Sequence, residues 1–422
     1  MSTNHEILAR SQRIMPRGVA FTFPVYVERA ENAELWDVEG RRYIDFGAGI
    51  AVLNTGHRHP KVIAAARAQL ERFTHTAFQV VPYESGIHLA ERVARLVPIP
   101  EPKKVAFFST GAESVENAVK IARCATGRPG VIAFQGAFHG RTLLALALTG
   151  KVAPYKLGFG PMPGAIYHAP FPSPLHGVTV EDALAGVERI FRAEIEPQRV
   201  AAIIVEPVQG EGGFHVAPPE LLRGLREICT KHGIVLIADE IQTGFGRTGK
   251  TFAIEHAGVS PDLVCVAKSL SGGFPLSAVI GRAELMDAPG PGGLGGTFAG
   301  SPVAIAAAHK VLDILEEENL SARAAELGRR LFAFLDRKRA SNPRMADVRG
   351  LGSMVAVEFC VPGTSRPDAE FAKTVQRRAL ERGLFLLTCG VDANVIRFLY
   401  PLTIPERHFE EGLSILAEAL EA

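Results

Sequence analysis

The chain has 422 residues, 47% hydrophobic and 22% charged, with 46 basic residues against 45 acidic ones. This is enough apolar content for a large buried core. The charge balance gives no basic stripe for nucleic acid or an anionic membrane surface. From about residue 60 to 315, short apolar runs alternate with amphipathic helical patterns. Residues 105–108, 131–134, 201–205, 234–238, 263–267 and 277–280 are predicted as strands buried on both faces. Between them the pattern predicts helices over 113–123, 219–232 and 302–317, the last with Ser301 as N-cap and Pro302 in its first turn. Such alternation implies the α/β class, with a mostly parallel sheet covered by helices on both sides.

After roughly Asn319 the texture changes. A charged helix over 322–340 precedes predicted strands at 354–359, 383–387 and 395–399, with helices at 369–382 and 405–420. This reads as a smaller α+β domain over 319–422, with 1–55 packing against it and 56–318 forming the large domain. The five cysteines, Cys124, Cys229, Cys265, Cys360 and Cys389, form no C-x-x-C pair, which argues against a disulfide framework or a metal site and for a reducing compartment. The first twenty residues lack the apolar stretch of a signal peptide, and no run approaches the roughly 18 apolar residues of a membrane span. A cytoplasmic enzyme is the expectation.

The candidate chemistry lies at strand ends. Lys268 follows the run 263–267, where ligands of open α/β sheets sit. A lysine there can condense with an aldehyde cofactor, helped by desolvation that favours the neutral amine. Position alone favours the plainer reading, a lysine that caps its strand with the ammonium in water. Asp239 follows the strand 234–238, and a carboxylate at that depth can hold a pyridine nitrogen protonated. The competing reading is an Asp-Glu pair on magnesium, since Gly-Phe-Gly-Arg-Thr-Gly-Lys-Thr (244–251) satisfies the pattern of a phosphate-cradling P-loop. Context weighs against it: the acids precede the motif, and the segment behind it is too short for the P-loop helix. A better cradle is Ser-Thr-Gly-Ala-Glu (109–113), where a strand turns into a helix N-terminus and Gly111 lets the backbone approach an anion.

Two arginines complete the set. Arg141 follows the strand 131–134 in Phe-His-Gly-Arg-Thr (138–142) and can bind a carboxylate bidentately, while Phe138 offers a ring for stacking. A solvated surface arginine remains the alternative. Arg397 interrupts the apolar run 395–399, and a charge buried there needs a partner or a ligand. Glu211, on the glycine-rich loop 206–213, is a plausible partner.

Together these motifs, with Ala-Asp-Glu-Ile-Gln (238–242), Ala-Lys-Ser (267–269) and Gly-Gly-Thr-Phe-Ala-Gly (295–300), resemble the class-III aminotransferases of the fold-type-I pyridoxal-phosphate family over nearly the whole chain. Residues 151–160, 389–390 and 394–404 are most similar to the bacterial 4-aminobutyrate branch. The resemblance implies pyridoxal 5'-phosphate as cofactor, no metal, and transfer of an ω-amino group to 2-oxoglutarate. It implies that Lys268 holds the cofactor and shuttles the proton, and that Asp239 binds the pyridine nitrogen. Gln242 would bind the ring hydroxyl, Phe138 and Ile241 would sandwich the ring, and Gly111 and Ala112 would cup the phosphate. Thr297 would reach that phosphate from a partner subunit, making a homodimer the minimal active unit and leaving a tetramer open. Ile50 and Gln79 would line the substrate pocket. Arg141 would hold the distal carboxylate, and Arg397 the α-carboxylate of glutamate or 2-oxoglutarate, pairing with Glu211 otherwise. A 5-aminovalerate aminotransferase, or more distantly an ornithine or acetylornithine one, remains a sister reading. A nucleotide hydrolase and a non-catalytic binding module are the readings outside the class.

Overall fold

The computed structural model describes residues 2–421. Its strands, in chain order, are β1 (Val27–Glu31), β2 (Glu34–Asp37), β3 (Arg42–Asp45), β4 (Lys103–Phe108), β5 (Gly130–Phe134), β6 (Ile166–Ala169), β7 (Val200–Val205), β8 (Val208–Gln209) and β9 (His215–Val216). They continue as β10 (Val235–Asp239), β11 (Leu263–Val266), β12 (Ser277–Arg282), β13 (Met345–Leu351), β14 (Met354–Phe359), β15 (Leu384–Phe385), β16 (Leu387–Cys389) and β17 (Val395–Phe398). Seven of them form the central sheet in the order β4-β12-β11-β10-β7-β5-β6. β12 runs antiparallel to both its neighbours, and the other pairs are parallel.

Both faces of this sheet are buried. Ile132, Phe134, Ile203, Leu236 and Val264 pack into one apolar cluster, while Val131, Ala133, Ile204, Ile237 and Cys265 pack into another across the sheet. That is why the strands read as unbroken apolar runs: alternation places successive side chains on opposite faces, and both faces are covered. The helices Pro219–His232 and Pro302–Glu317 have the predicted ends. Ser301 stands at the N-cap position of the second, but its side chain makes no capping hydrogen bond, so Pro302 alone marks that start.

The two ends of the chain share a core. Ala33, Ile44 and Phe46 pack with Leu327, Val357, Phe398 and Phe409. The predicted strand over 383–387 divides at Leu386. Leu384–Phe385 runs parallel to β3 in the sheet β1-β2-β3-β15, whereas Leu387–Cys389 joins the antiparallel sheet β13-β14-β17-β16. The Gln376 side-chain amide donates to the Leu386 carbonyl at 2.8 Å, satisfying a backbone group at the crossover. No helix among the described residues is long and apolar enough to cross a membrane.

Candidate active site

A cavity of about 360 Å³ opens at the carboxyl ends of β4, β5, β7, β10 and β11. Each strand delivers a turn there, as expected for a parallel sheet whose helices cross back over its faces.

The turn after β4 is shaped by a capping box. The Glu113 carboxylate accepts the Ser109 and Thr110 N–H groups at 3.0 and 2.8 Å, and the Thr110 hydroxyl accepts the Glu113 N–H at 3.3 Å. The N–H groups of Gly111 and Ala112 are left without a partner among the described residues, at the positive end of a 16-residue helix. A Cβ on Gly111 would lie 3.0 Å from Ile241, so glycine is what keeps this approach open.

Asp239 ends β10 with 4% exposure. One carboxylate oxygen lies 2.7 Å from His139 Nδ1 and the other accepts the Ile241 N–H at 3.1 Å. Burial disfavours a charge on His139, but the Asp239 hydrogen bond and charge outweigh it, so the imidazole pKa is raised. Glu206, also lining the cavity, accepts the Phe138 and Gly210 N–H groups at 2.9 and 3.1 Å; burial pushes its pKa upward. Buried Gln242 Oε1 and His139 Nε2 have no hydrogen-bond partner among the described residues.

Lys268 opens a 3-10 turn just past β11, at φ 46, a left-handed backbone that is uncommon for a residue with a side chain. Burial pushes its pKa down to about 8, which brings a neutral, nucleophilic amine within reach of neutral pH. Glu211 lies between β8 and β9 and also lines the cavity. It is hydrogen-bonded to Nη1 of Arg397, which is 4% exposed. Burial opposes both charges. The pair overcomes this, holding the Glu211 pKa below and the Arg397 pKa above its ordinary value.

The cavity therefore gathers Gly111, Ala112, Phe138, Glu211, Asp239, Ile241, Gln242 and Lys268, with Arg397 one hydrogen bond behind Glu211. Arg141 stands outside it, exposed, its guanidinium 5.4 Å from the centre of the Tyr155 ring, which in turn lies 5.0 Å from Phe138. Ile50 (φ 63), Gln79 and Thr297 are exposed and not part of this cavity's wall. The Gln79 side-chain carbonyl accepts the Gly296 N–H at 3.3 Å, next to Thr297. His139 and Glu206 had no role assigned from sequence, although both lie inside motifs that stood out there. Lys151 and Tyr155, in the segment 151–160, were also passed over.

The P-loop pattern is refuted by its surroundings. Arg247 is fully buried and donates to the carbonyls of Ser353 and Tyr400 at 3.3 and 2.8 Å and to Asn54 Oδ1 at 2.6 Å. A 3-10 turn, Ala253–Ala257, follows in place of a long helix, and Glu240 accepts the Ala253 and Ile254 N–H groups at 3.0 and 2.7 Å rather than facing the cavity. No group of three or more metal-ligating side chains is found among the described residues.

The donor set suits pyridoxal phosphate. Two free N–H groups at a helix N-terminus suit a phosphate, a buried carboxylate a ring nitrogen, an unpartnered amide oxygen a ring hydroxyl, and a depressed-pKa amine an aldehyde. The class-III aminotransferase family model matches residues 14–420. The chain is 57% identical over 420 residues to a 5-aminovalerate aminotransferase of Pseudomonas aeruginosa, covering 99% of each. It is 51% identical over 422 residues to a 4-aminobutyrate aminotransferase of Escherichia coli, covering 100% of this chain and 99% of that one. A Bacillus anthracis aminotransferase structure superposes with a TM-score of 0.92 at 28% identity, covering 100% of this chain and 99% of that one. The chain belongs to the class-III aminotransferases, pyridoxal-phosphate-dependent transaminases of fold type I, which act on amino-acid and keto-acid substrates.

Proposed function

We propose that the chain is a 4-aminobutyrate:2-oxoglutarate aminotransferase, working by ping-pong exchange to give succinate semialdehyde and glutamate. The observation that carries this reading is the Arg397–Glu211 pair at the cavity, a buried cation whose carboxylate partner a substrate can replace. An ω-amino acid has one carboxylate, distant from the reacting carbon; glutamate has a second one beside it. Arg141 binds the distal carboxylate in both half-reactions. Arg397 stays with Glu211 while the ω-amine reacts, then binds the α-carboxylate of glutamate or 2-oxoglutarate.

Bound pyridoxal phosphate supplies an aldehyde and an electron-withdrawing ring that accepts the electron pair released at the substrate carbon. Lys268 Nζ would hold the cofactor, and would serve as the base and then the acid at the substrate carbon. Asp239 would keep the ring nitrogen protonated, with His139 orienting that carboxylate. Gln242 would bind the ring hydroxyl, Phe138 and Ile241 would flank the ring, and Gly111 and Ala112 would bind the phosphate through their N–H groups. Ile50 and Gln79 shape the substrate entrance. Residues 56–318 form the large domain, while 1–55 and 319–422 form the small domain that carries Arg397.

Thr297 acts on a partner subunit's phosphate, so the active unit is a homodimer, here proposed to be cytoplasmic. Its supports are an exposed Thr297, Phe298 at 68% exposure against His75 with ring centres 5.1 Å apart, and the neighbouring exposed Val80 and Val81.

A second reading, 5-aminovalerate as the preferred donor, is favoured by the name of the 57%-identical relative. One methylene changes pocket discrimination by only about 1–3 kcal/mol, so both donors are expected to react. The test is single-turnover absorbance of the purified holoenzyme with each donor, then with 2-oxoglutarate. Bleaching by 4-aminobutyrate and recovery by 2-oxoglutarate are expected. A kcat/KM for 5-aminovalerate more than about tenfold the higher, a difference of ~1.4 kcal/mol, would transfer the assignment. Glu211→Ala is expected to harm the ω-amine half-reaction more; equal losses in the two would count against the exchange of partners.

A further inference from the structure

Exchange of partners at Arg397 leaves Glu211 with a problem. When a substrate's α-carboxylate takes the guanidinium, the displaced carboxylate stays in a buried setting, where an unpaired charge is strongly disfavoured. It needs a second cation. Lys268 serves the cofactor and the reacting carbon, and Arg349 is already paired with Asp347 and Glu358, which leaves one further cation beside the loop among the described residues.

Lys151 is partly buried and makes no ion pair among the described residues. Its ammonium donates at 2.7 Å to the carbonyl of Gly390, and the N–H of that same Gly390 donates at 3.0 Å to the carbonyl of Glu211. One residue therefore bridges the idle ammonium to the backbone of the switching carboxylate. The other acidic groups nearby form no ion pair with Lys151. Asp392 is exposed, and burial pushes the Cys389 thiol up to about 12, so it stays neutral. Tyr155, with its pKa raised mainly by burial, is also neutral. Lys151 itself feels burial, which lowers its pKa, and Glu211 is among the charges that oppose this.

We propose that Lys151 is a positioning residue that receives the Glu211 carboxylate when an α-carboxylate displaces it from Arg397. This rests on the partner exchange read above and adds where the displaced group goes. Lys151 then sets the affinity for dicarboxylates, which need both arginines, and not for monocarboxylates, which need only Arg141.

The test uses two unreactive probes, glutarate and valerate, titrated against the holoenzyme by its absorbance. Lys151→Met is expected to weaken glutarate by about tenfold or more while valerate changes by less than about threefold, and Lys151→Arg is expected to restore glutarate. Glu211→Ala is expected to tighten glutarate, since Arg397 is then free, and to erase the effect of Lys151→Met in the double variant. If Glu211→Ala fails to favour glutarate over valerate, the partner exchange itself is wrong. If that variant behaves as expected but Lys151→Met weakens both probes equally, or its effect persists without Glu211, Lys151 is only a prop for Gly390 and the proposal falls.

Discussion

Asp239 and Glu240 are adjacent, yet they belong to two regions that use buried charge in opposite ways. Asp239 faces the cavity among groups with exchangeable or missing partners: Lys268, the Arg397–Glu211 pair, Gln242 Oε1 and His139 Nε2. Glu240 turns into the loop 240–254, where its oxygens accept the N–H groups of Ala253 and Ile254 and the Thr243 hydroxyl. Arg247, in the same loop, is held by two main-chain carbonyls and Asn54. Main-chain partners cannot leave without unfolding the local chain, whereas a carboxylate partner can be replaced by that of a substrate. The first arrangement fixes architecture. The second stores binding capacity, at a cost in stability that the rest of the fold absorbs.

Substitutions can break this contrast or sharpen it. The largest effect should come from Lys268→Ala, with transamination falling by roughly 10²–10⁴-fold, the range for a positioned acid–base group. Its thermal midpoint should stay level or rise, because burial already opposes that charge; a large drop in the midpoint would place Lys268 with the architectural charges. Arg247→Met should do the reverse. It should lower the unfolding free energy by about 3 kcal/mol, from carbonyls left unpaired, with the remaining folded enzyme keeping its kcat. Denaturant titration beside active-site counting separates the two quantities.

Arg397→Met should cost the glutamate half-reaction about 10²-fold in kcat/KM, equivalent to ~2.7 kcal/mol of lost charge pairing. The ω-amine half-reaction should suffer less, and stopped-flow absorbance reads each. The smallest effect concerns pH. Burial raises the Glu240 pKa from 4.5 to about 7, so between those values the folded state holds a proton that the unfolded state has released. This contribution to stability is full below 4.5 and is lost as pH rises through 7. Glu240→Gln should flatten that part of the stability profile between pH 5 and 8; an unchanged slope would show that the group stays ionised in the fold.

Much of the site could be read from sequence because a parallel sheet sends its turns to one edge. Lys268, Asp239 and Gly111 each follow a run of apolar residues, and the runs themselves announce strands covered on both faces. The strand at 383–387 was harder, since a short apolar run does not say which sheet it joins, and here it joins two. The Ile166–Ala169 edge strand, mostly half-buried, had no clear run to mark it. Lys151 lies in a segment without periodicity, and its place becomes visible only when Gly390 is brought beside it. The pattern at 244–251 misleads for a related reason. The same letters serve as an anion cradle or as a packed internal turn, and only the residues that fill the space around Arg247 decide between them.

The parallel pairing of β3 with β15 joins residues 44 and 45 to residues 384 and 385. A ribosome delivers the first pair long before the second. Until residue 384 is made the edge of β3 has no neighbour there, whereas the seven strands of the central sheet all lie upstream of residue 283 and are made before it. Vectorial synthesis thus favours an order in which the central sheet is assembled first, and Arg397, made after residue 385, arrives once β15 can close against β3.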